Sequence, residues 1–239
     1  MCYHVKITSS VEELQNRFEV EYTENESPVA YHHVSGFGYP KIPVIASDEP
    51  NKIKLFQWGL VPIWTKSRED AKKNAINTLN ARSETIFEKP SFRSIKKKRC
   101  LVLVNGFYEW RDYNKKKYPY YIHLPNEEPF AMGGIYENWA DKETGEIFNT
   151  FSIVTLEANP LMAKIHNSKL RMPLILPKET ERLWLEPNVD EVYLKGLFKQ
   201  YPADGMQAHT ISKLITSRTE SSNQPKITEE EVYVELPGL

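Results

Sequence analysis

Cysteine is almost missing from this 239-residue sequence, which holds only Cys2 and Cys100. Two thiols cannot build a disulfide framework, so the fold has to rest on a hydrophobic core, and a reducing compartment suits it. No uninterrupted apolar run approaches the roughly 20 residues of a membrane-spanning helix. The N-terminal MCYHVKITSS lacks the apolar segment of a secretory signal. His4, His32, His33 and the two cysteines show no zinc-like spacing, so no metal and no cofactor is expected. Repeats and low-complexity linkers are also absent. Net charge is nearly absent too: 31 Lys+Arg stand against 32 Asp+Glu, leaving -1. Taken as a whole-chain average, that balance argues against a nucleic-acid partner. What is present, 40% hydrophobic and 26% charged residues, fits a soluble globular chain able to bury a proper core.

The charge is unevenly placed. Between Lys52 and Lys117 there are 17 Lys+Arg and 6 Asp+Glu, so this block carries +11 and the remainder offsets it. Trp58, Trp64, Phe92, Phe107, Tyr108 and Trp110 are interleaved with its cations. Cations for phosphates and aromatic faces for bases suit a single-strand binder, although a solvated surface over ordinary core aromatics has the same composition. Lys115 to Lys117 read as a polar hairpin tip.

Ser10-Val11-Glu12-Glu13 has the form of a capping box and predicts a helix over about 11–19. Residues 36–50, with three prolines and two glycines, read as loop with at most a short strand around Val44. Runs rich in β-branched and aromatic residues predict strands at 100–105, 107–111, 118–124, 130–135 and 147–156, with a hairpin turn at 141–146. Helical patches follow at about 158–165, 178–185 and 189–199, and strands near 207–212 and 231–235. Strands mostly succeed one another without intervening helices, which argues against a βαβ fold. The expectation is one α+β domain over 1–239, mainly an antiparallel twisted, barrel-like sheet with short peripheral helices.

Chemistry begins at Cys2. If Met1 is removed, an α-amine and a thiol stand on adjacent carbons, with ordinary pKa values of about 8 and about 8.5. The amine can condense with an aldehyde and the thiol can close on the imine, giving a five-membered thiazolidine. Cys100, in an apolar strand, reads as a small buried hydrophobe instead.

Four further runs follow in order: Trp58-Gly59-Leu60-Val61-Pro62, Asn80-Ala81-Arg82-Ser83-Glu84-Thr85, Arg99-Cys100-Leu101 leading to Gly106-Phe107-Tyr108-Glu109-Trp110, and Ile165-His166 before Arg171-Met172-Pro173. With Cys2 directly after Met1, these resemble the SRAP family of SOS-response-associated peptidase-like proteins over about residues 2–176. The resemblance implies shielding of abasic sites in single-stranded DNA. It implies Cys2 as nucleophile, Asn80 holding the reacting amine and sugar, Glu109 as acid/base, and His166 assisting sugar opening. It also implies that Arg82 and Arg171 hold phosphates. A Glu and a His suit the proton inventory of such a condensation, because protons must be both taken and given. Asn80 can donate and accept without titrating.

Arg93 is a further candidate phosphate contact, and Trp64 and Trp110 are candidates to stack on bases beside the lesion. The pattern departs from the family at Tyr3-His4, where Gly-Arg is usual, and in the expanded His166 to Arg171 spacing. The implied setting is a monomer in the bacterial cytoplasm, nucleoid-associated when on DNA, with residues 200–239 packed on the same domain. Two other readings remain open at this point: a cysteine peptidase or amidohydrolase using Cys2, and a non-covalent single-strand binding module.

Overall fold

The computed structural model describes residues 2–239; Met1, whose removal the chemistry of Cys2 requires, lies outside the described residues. In chain order the first elements are β1 (His4–Ile7), α1 (Val11–Phe18), β2 (Glu21–Tyr22), β3 (Tyr31–Ser35), β4 (Lys41–Ala46), β5 (Lys52–Trp58), α2 (Arg68–Asn77) and β6 (Asn80–Arg82). The middle is all strand: β7 (Arg99–Val104), β8 (Gly106–Tyr113), β9 (Lys116–His123), β10 (Phe130–Ala140) and β11 (Ile147–Glu157). Then come α3 (Pro160–Ile165), β12 (Arg171–Pro173), β13 (Ile175–Leu176), α4 (Lys178–Leu185), α5 (Glu191–Leu197) and β14 (Gln207–Thr210).

Five strands close a ring. The antiparallel order β11-β10-β7-β4-β5 returns on itself because β5 pairs in parallel with β11, Thr150 opposite Gln57 and Phe151 opposite Trp58. Closure removes exposed sheet edges and lets inward side chains form a filled core. A second sheet, in the order β14-β9-β8-β1-β3, lies beside it. The chain is therefore α+β, built on a barrel and an antiparallel sheet with short helices outside.

Local chemistry explains most elements. Ser10 accepts from the Glu13 N–H and Glu13 Oε2 accepts from the Ser10 N–H, closing the capping box of α1. Ser67 caps α2 by accepting from the Asp70 N–H. Arg99 is fully buried; its guanidinium donates to the carbonyls of Ile95, Trp184 and Glu186, tying β7 to α4 through the backbone.

Two expectations are corrected. Residues 41–46 are a buried barrel strand, not loop with a fragment at Val44. Pairing of β4 with β7 starts only at Val44, so Pro43 lies beside β5 alone and is tolerated. Residues 231–235 are irregular; Glu230 bridges Ile211, Glu231 exchanges hydrogen bonds with Thr210 of β14, and Glu235 accepts from the Tyr118 hydroxyl of β9. Its alternating Val232-Tyr233-Val234 pattern leaves the two valines exposed while Tyr233 packs on Tyr118.

Candidate active site

The N-terminus enters the site along β8. Val5 pairs with Phe107 and Lys6 with Gly106, and beyond Phe107 the β8 edge has no β1 residue against it. That gap opens a cleft of about 410 Å³ lined by Tyr3, His4, Glu109, Trp110 and His166, with Lys117, Ser168, Lys169 and Thr216 around it. Cys2, next in the chain to Tyr3 of this lining, is fully buried. Gly36 is required behind it: its N–H donates to the Tyr3 carbonyl at 2.8 Å, and an added Cβ would stand 2.9 Å from the Trp58 ring.

Asn80 reaches the site from β6, which pairs in parallel with β11. Its Nδ2 donates to the Cys2 carbonyl at 2.9 Å, and its buried Oδ1 has no hydrogen-bond partner among the described residues. A buried acceptor left open in this way is costly unless something binds there. His166 caps the end of α3. Its Nδ1 lies 2.9 Å from the Arg171 carbonyl, so Nδ1 carries the hydrogen and donates, and Nε2 is the bare nitrogen. Nε2 stands 3.7 Å from Glu109 Oε2, close enough to exchange a proton once a substrate or water group lies between them.

Burial sets the charges. It pushes the Glu109 carboxyl up to about 7, so both its forms are populated near neutrality. Burial lowers His166 to about 4, which keeps its imidazole neutral. Burial, and then the nearby Glu109, raise the Cys2 thiol far above its ordinary range. A neutral base, a half-protonated acid and a protonated thiol thus share one cleft.

The expanded spacing after His166 leaves this arrangement intact. Leu170 takes a left-handed turn at φ 52°, its N–H donating to the His166 carbonyl, and the chain returns Arg171 beneath the imidazole. Asn167 fastens the turn to β8 by accepting from the Asp112 N–H and donating to the Asp112 carbonyl.

Arg171 points into an adjoining groove with Arg82, Glu84, Glu157 and Lys169. Its guanidinium forks onto the Glu84 carboxylate and donates to the Thr155 carbonyl at 2.6 Å. The carboxylate held there is thus Glu84's own, and Arg82 stays exposed. Lys169 lines both groove and cleft, linking them.

The structure therefore brings together Cys2, Asn80, Glu109, His166 and Trp110, with Arg82 and Arg171 alongside. It does not bring in Arg93, which projects from a 3-10 turn packed on β7 and β10, nor Trp64, exposed on the turn before α2 and outside the cleft lining. The basic block is not one surface either: Arg68 pairs with Asp141 and Glu146, Lys98 with Glu137, Lys52 and Lys54 with Glu49, and Arg99 is internal. Lys117 was legible only as part of a hairpin tip; its pairing opposite Asp112 carries it to the cleft. Thr216, from the C-terminal segment, carried no signal in the sequence.

Comparison with known proteins gives the family. The family model described as SOS response associated peptidase (SRAP) matches residues 1–218. The abasic site processing protein YoqW of Bacillus subtilis is 34% identical over 235 residues, 96% of this chain and 99% of YoqW. The abasic site processing protein HMCES of Xenopus tropicalis is 30% identical over 193 residues, 72% of this chain and 56% of HMCES. An X-ray structure of a protein from Bacteroides thetaiotaomicron superposes with a TM-score of 0.89 at 38% identity, covering 97% of this chain and all of that one. The chain belongs to the SRAP family.

Proposed function

We propose that this protein processes abasic sites by capturing them covalently in single-stranded DNA, through a thiazolidine formed by Cys2 once Met1 has been removed. The observation that carries this reading is the convergence on Cys2 of Asn80 with the Glu109–His166 pair. The names of YoqW and HMCES support the same substrate class.

The chemistry runs as follows. His166 Nε2 takes the hydroxyl proton of the closed abasic sugar while protonated Glu109 delivers one to the ring oxygen, opening the aldehyde. Asn80 Oδ1 accepts from the Cys2 amino group and Nδ2 fixes the adjacent carbonyl, aiming the nitrogen at the aldehyde carbon. Loss of water gives the imine. The thiol then adds across the C=N bond, sulfur to carbon and its proton to nitrogen. A thiol held protonated by burial suits this order and suits poorly a cysteine peptidase, whose attacking group is a thiolate. Arg82 holds a phosphate in the groove, Arg171 takes one where the phosphate displaces the Glu84 carboxylate, and Trp110 at the cleft wall stacks beside the lesion. An unpaired strand spares the unstacking cost of about a few kcal/mol. The protein acts as a monomer in the cytoplasm.

The test is a denaturing gel of protein mixed with single-stranded DNA bearing one abasic site. A shifted band is expected from wild type and none from Cys2→Ala. Salt-labile binding with no resistant band overturns the covalent reading, and peptide turnover without an adduct favours the peptidase.

A further inference from the structure

Capture from the resting state releases a proton. An ammonium and a thiol together carry four hydrogens on nitrogen and sulfur, and the thiazolidine nitrogen retains one. The departing water takes two, so one proton must leave per adduct. Glu109 and His166 can pass protons between them, but both are buried, at 4% and 6% exposure.

A chain of three side chains leads away from the same cleft. His4 lines it beside Glu109, with its ring edge on Trp110. His4 Nδ1 lies 2.9 Å from His33 Nε2, the two rings stacked with centroids 5.1 Å apart. His33 Nδ1 lies 2.6 Å from Ser222 Oγ. Tyr108 packs edge-on against His33, and its hydroxyl donates to the His32 carbonyl, so the path is walled by aromatic rings. Asn223 clamps the far end, its Oδ1 accepting from the His32 N–H at 2.8 Å. Ser222 and Asn223 lie beyond residue 218, where the family model ends.

We propose that His4, His33 and Ser222 form a proton relay that carries the proton released during capture from the cleft to solvent; the proposal rests on the capture reading above. Each step balances. A proton arrives at His4 Nε2, the nitrogen turned away from His33, as His4 Nδ1–H passes its hydrogen to His33 Nε2. His33 Nδ1–H passes its own to Ser222 Oγ, and the Ser222 hydroxyl hydrogen goes to water. One proton enters and one leaves, every side chain ends neutral, and both imidazoles have exchanged tautomers. Burial first of all lowers His4 to about 3 and His33 to about 4, which favours this neutral hand-over above storing charge on either ring. The charged and titratable groups that line the cleft with His4 are Tyr3, Glu109, His166, Lys117 and Lys169. A stoichiometric capture needs the relay to fire once, so a tautomer flip without rapid reset suffices.

The experiment is single-turnover capture of an abasic single strand by the full chain, with non-covalent affinity read in parallel on intact strand. His4→Ala and His33→Ala are expected to slow adduct formation about tenfold, short of the roughly 10²–10⁴-fold of a direct acid/base group. Affinity stays within about twofold, and added imidazole restores the rate of both, because a small diffusible base replaces a relay. Ser222→Ala, where water can substitute, slows the reaction less. Unchanged rates in His4→Ala and His33→Ala overturn the relay alone. So does a loss that imidazole leaves in place, or one that follows affinity, since misfolding or lost DNA contact has those signatures. Failure of wild type to give any Cys2-dependent adduct overturns the capture reading and the relay with it.

Discussion

Glu109 and Glu181 are two glutamates at almost equal depth, 4% and 6% exposed, on different sides of the molecule. Glu181, on α4, meets the guanidinium of Arg17 from α1 in a two-pronged contact at 2.6 and 3.1 Å. Glu109 meets no guanidinium; it faces the bare Nε2 of His166 across 3.7 Å. One carboxylate fastens two helices, while the other is left with a proton it can give away near pH 7. Burial alone therefore does not make a reactive acid. Burial raises both carboxyls, and the guanidinium of Arg17 pulls Glu181 back down while Glu109 comes to rest near neutrality.

The sharpest way to test that contrast is Glu109→Gln. The proposed capture requires Glu109 with its proton, present below about pH 7, and a free α-amine, ordinarily formed above about pH 8. The wild-type rate therefore rises as the amine deprotonates and falls as Glu109 ionises, a bell with its maximum between the two. Glu109→Gln is expected to lower the maximum by roughly 10²–10⁴-fold and leave only the rising limb. Stability moves the other way. A carboxyl whose pKa rises on folding stabilises the fold below its ordinary value of 4.5, and loses that contribution as pH climbs to about 7. Above pH 7 the glutamine variant should gain on the order of 3 kcal/mol in urea unfolding, and at pH 4 nothing. A retained alkaline limb would show that another group is the acid.

Arg17→Met carries the converse expectation. It strands Glu181 in the interior and should cost about 3–5 kcal/mol in denaturant unfolding, while the capture rate per folded molecule at 25 °C is unchanged. A slowed capture step would mean that the two glutamates are coupled after all.

What the sequence made legible follows the same division between local and long-range causes. The β8–β9 and β10–β11 hairpins were readable because alternation and turn chemistry lie within a few residues of each other. Capping box and helix of α1 were readable for the same reason. β4 was hidden by Pro40 and Pro43, and α2 by its lack of a stripe, since only Ala71 and Ala75 of its residues are buried. The parallel seam between β5 and β11 joins residues some 93 apart, Thr150 with Gln57, and no local pattern announces it. In the candidate site, Cys2, Asn80, Glu109 and His166 could be singled out because they sit in recognisable runs. His33, Thr216 and Ser222 sit in none; His33 meets His4 through the pairing of β3 with β1, and Thr216 and Ser222 arrive because the C-terminal segment folds back on β3 and β9.

The smallest expected effect extends the comparison from acids to cations. Arg82 and Arg93 both lie in the basic block and both are exposed, yet only Arg82 opens onto the groove that Lys169 joins to the cleft. Single-strand binding that neutralises one phosphate releases about 0.7 of a counterion, so Arg82→Gln should reduce the slope of log affinity against log salt by about 0.7. The loss falls evenly across sequences, because a phosphate contact reads no base. Arg93→Gln, on the face where neighbouring Lys96 already approaches Glu191 at 3.7 Å, should leave both affinity and slope unchanged. Fluorescence anisotropy of an intact labelled strand between 50 and 200 mM salt separates the two, taking those bounds as the roughly useful window for such slopes. Equal losses in the two variants would mean that the strand runs over the whole basic block. A loss confined to Arg82 means that about one charge in the groove, and not the block's +11, sets how the lesion is presented to Cys2.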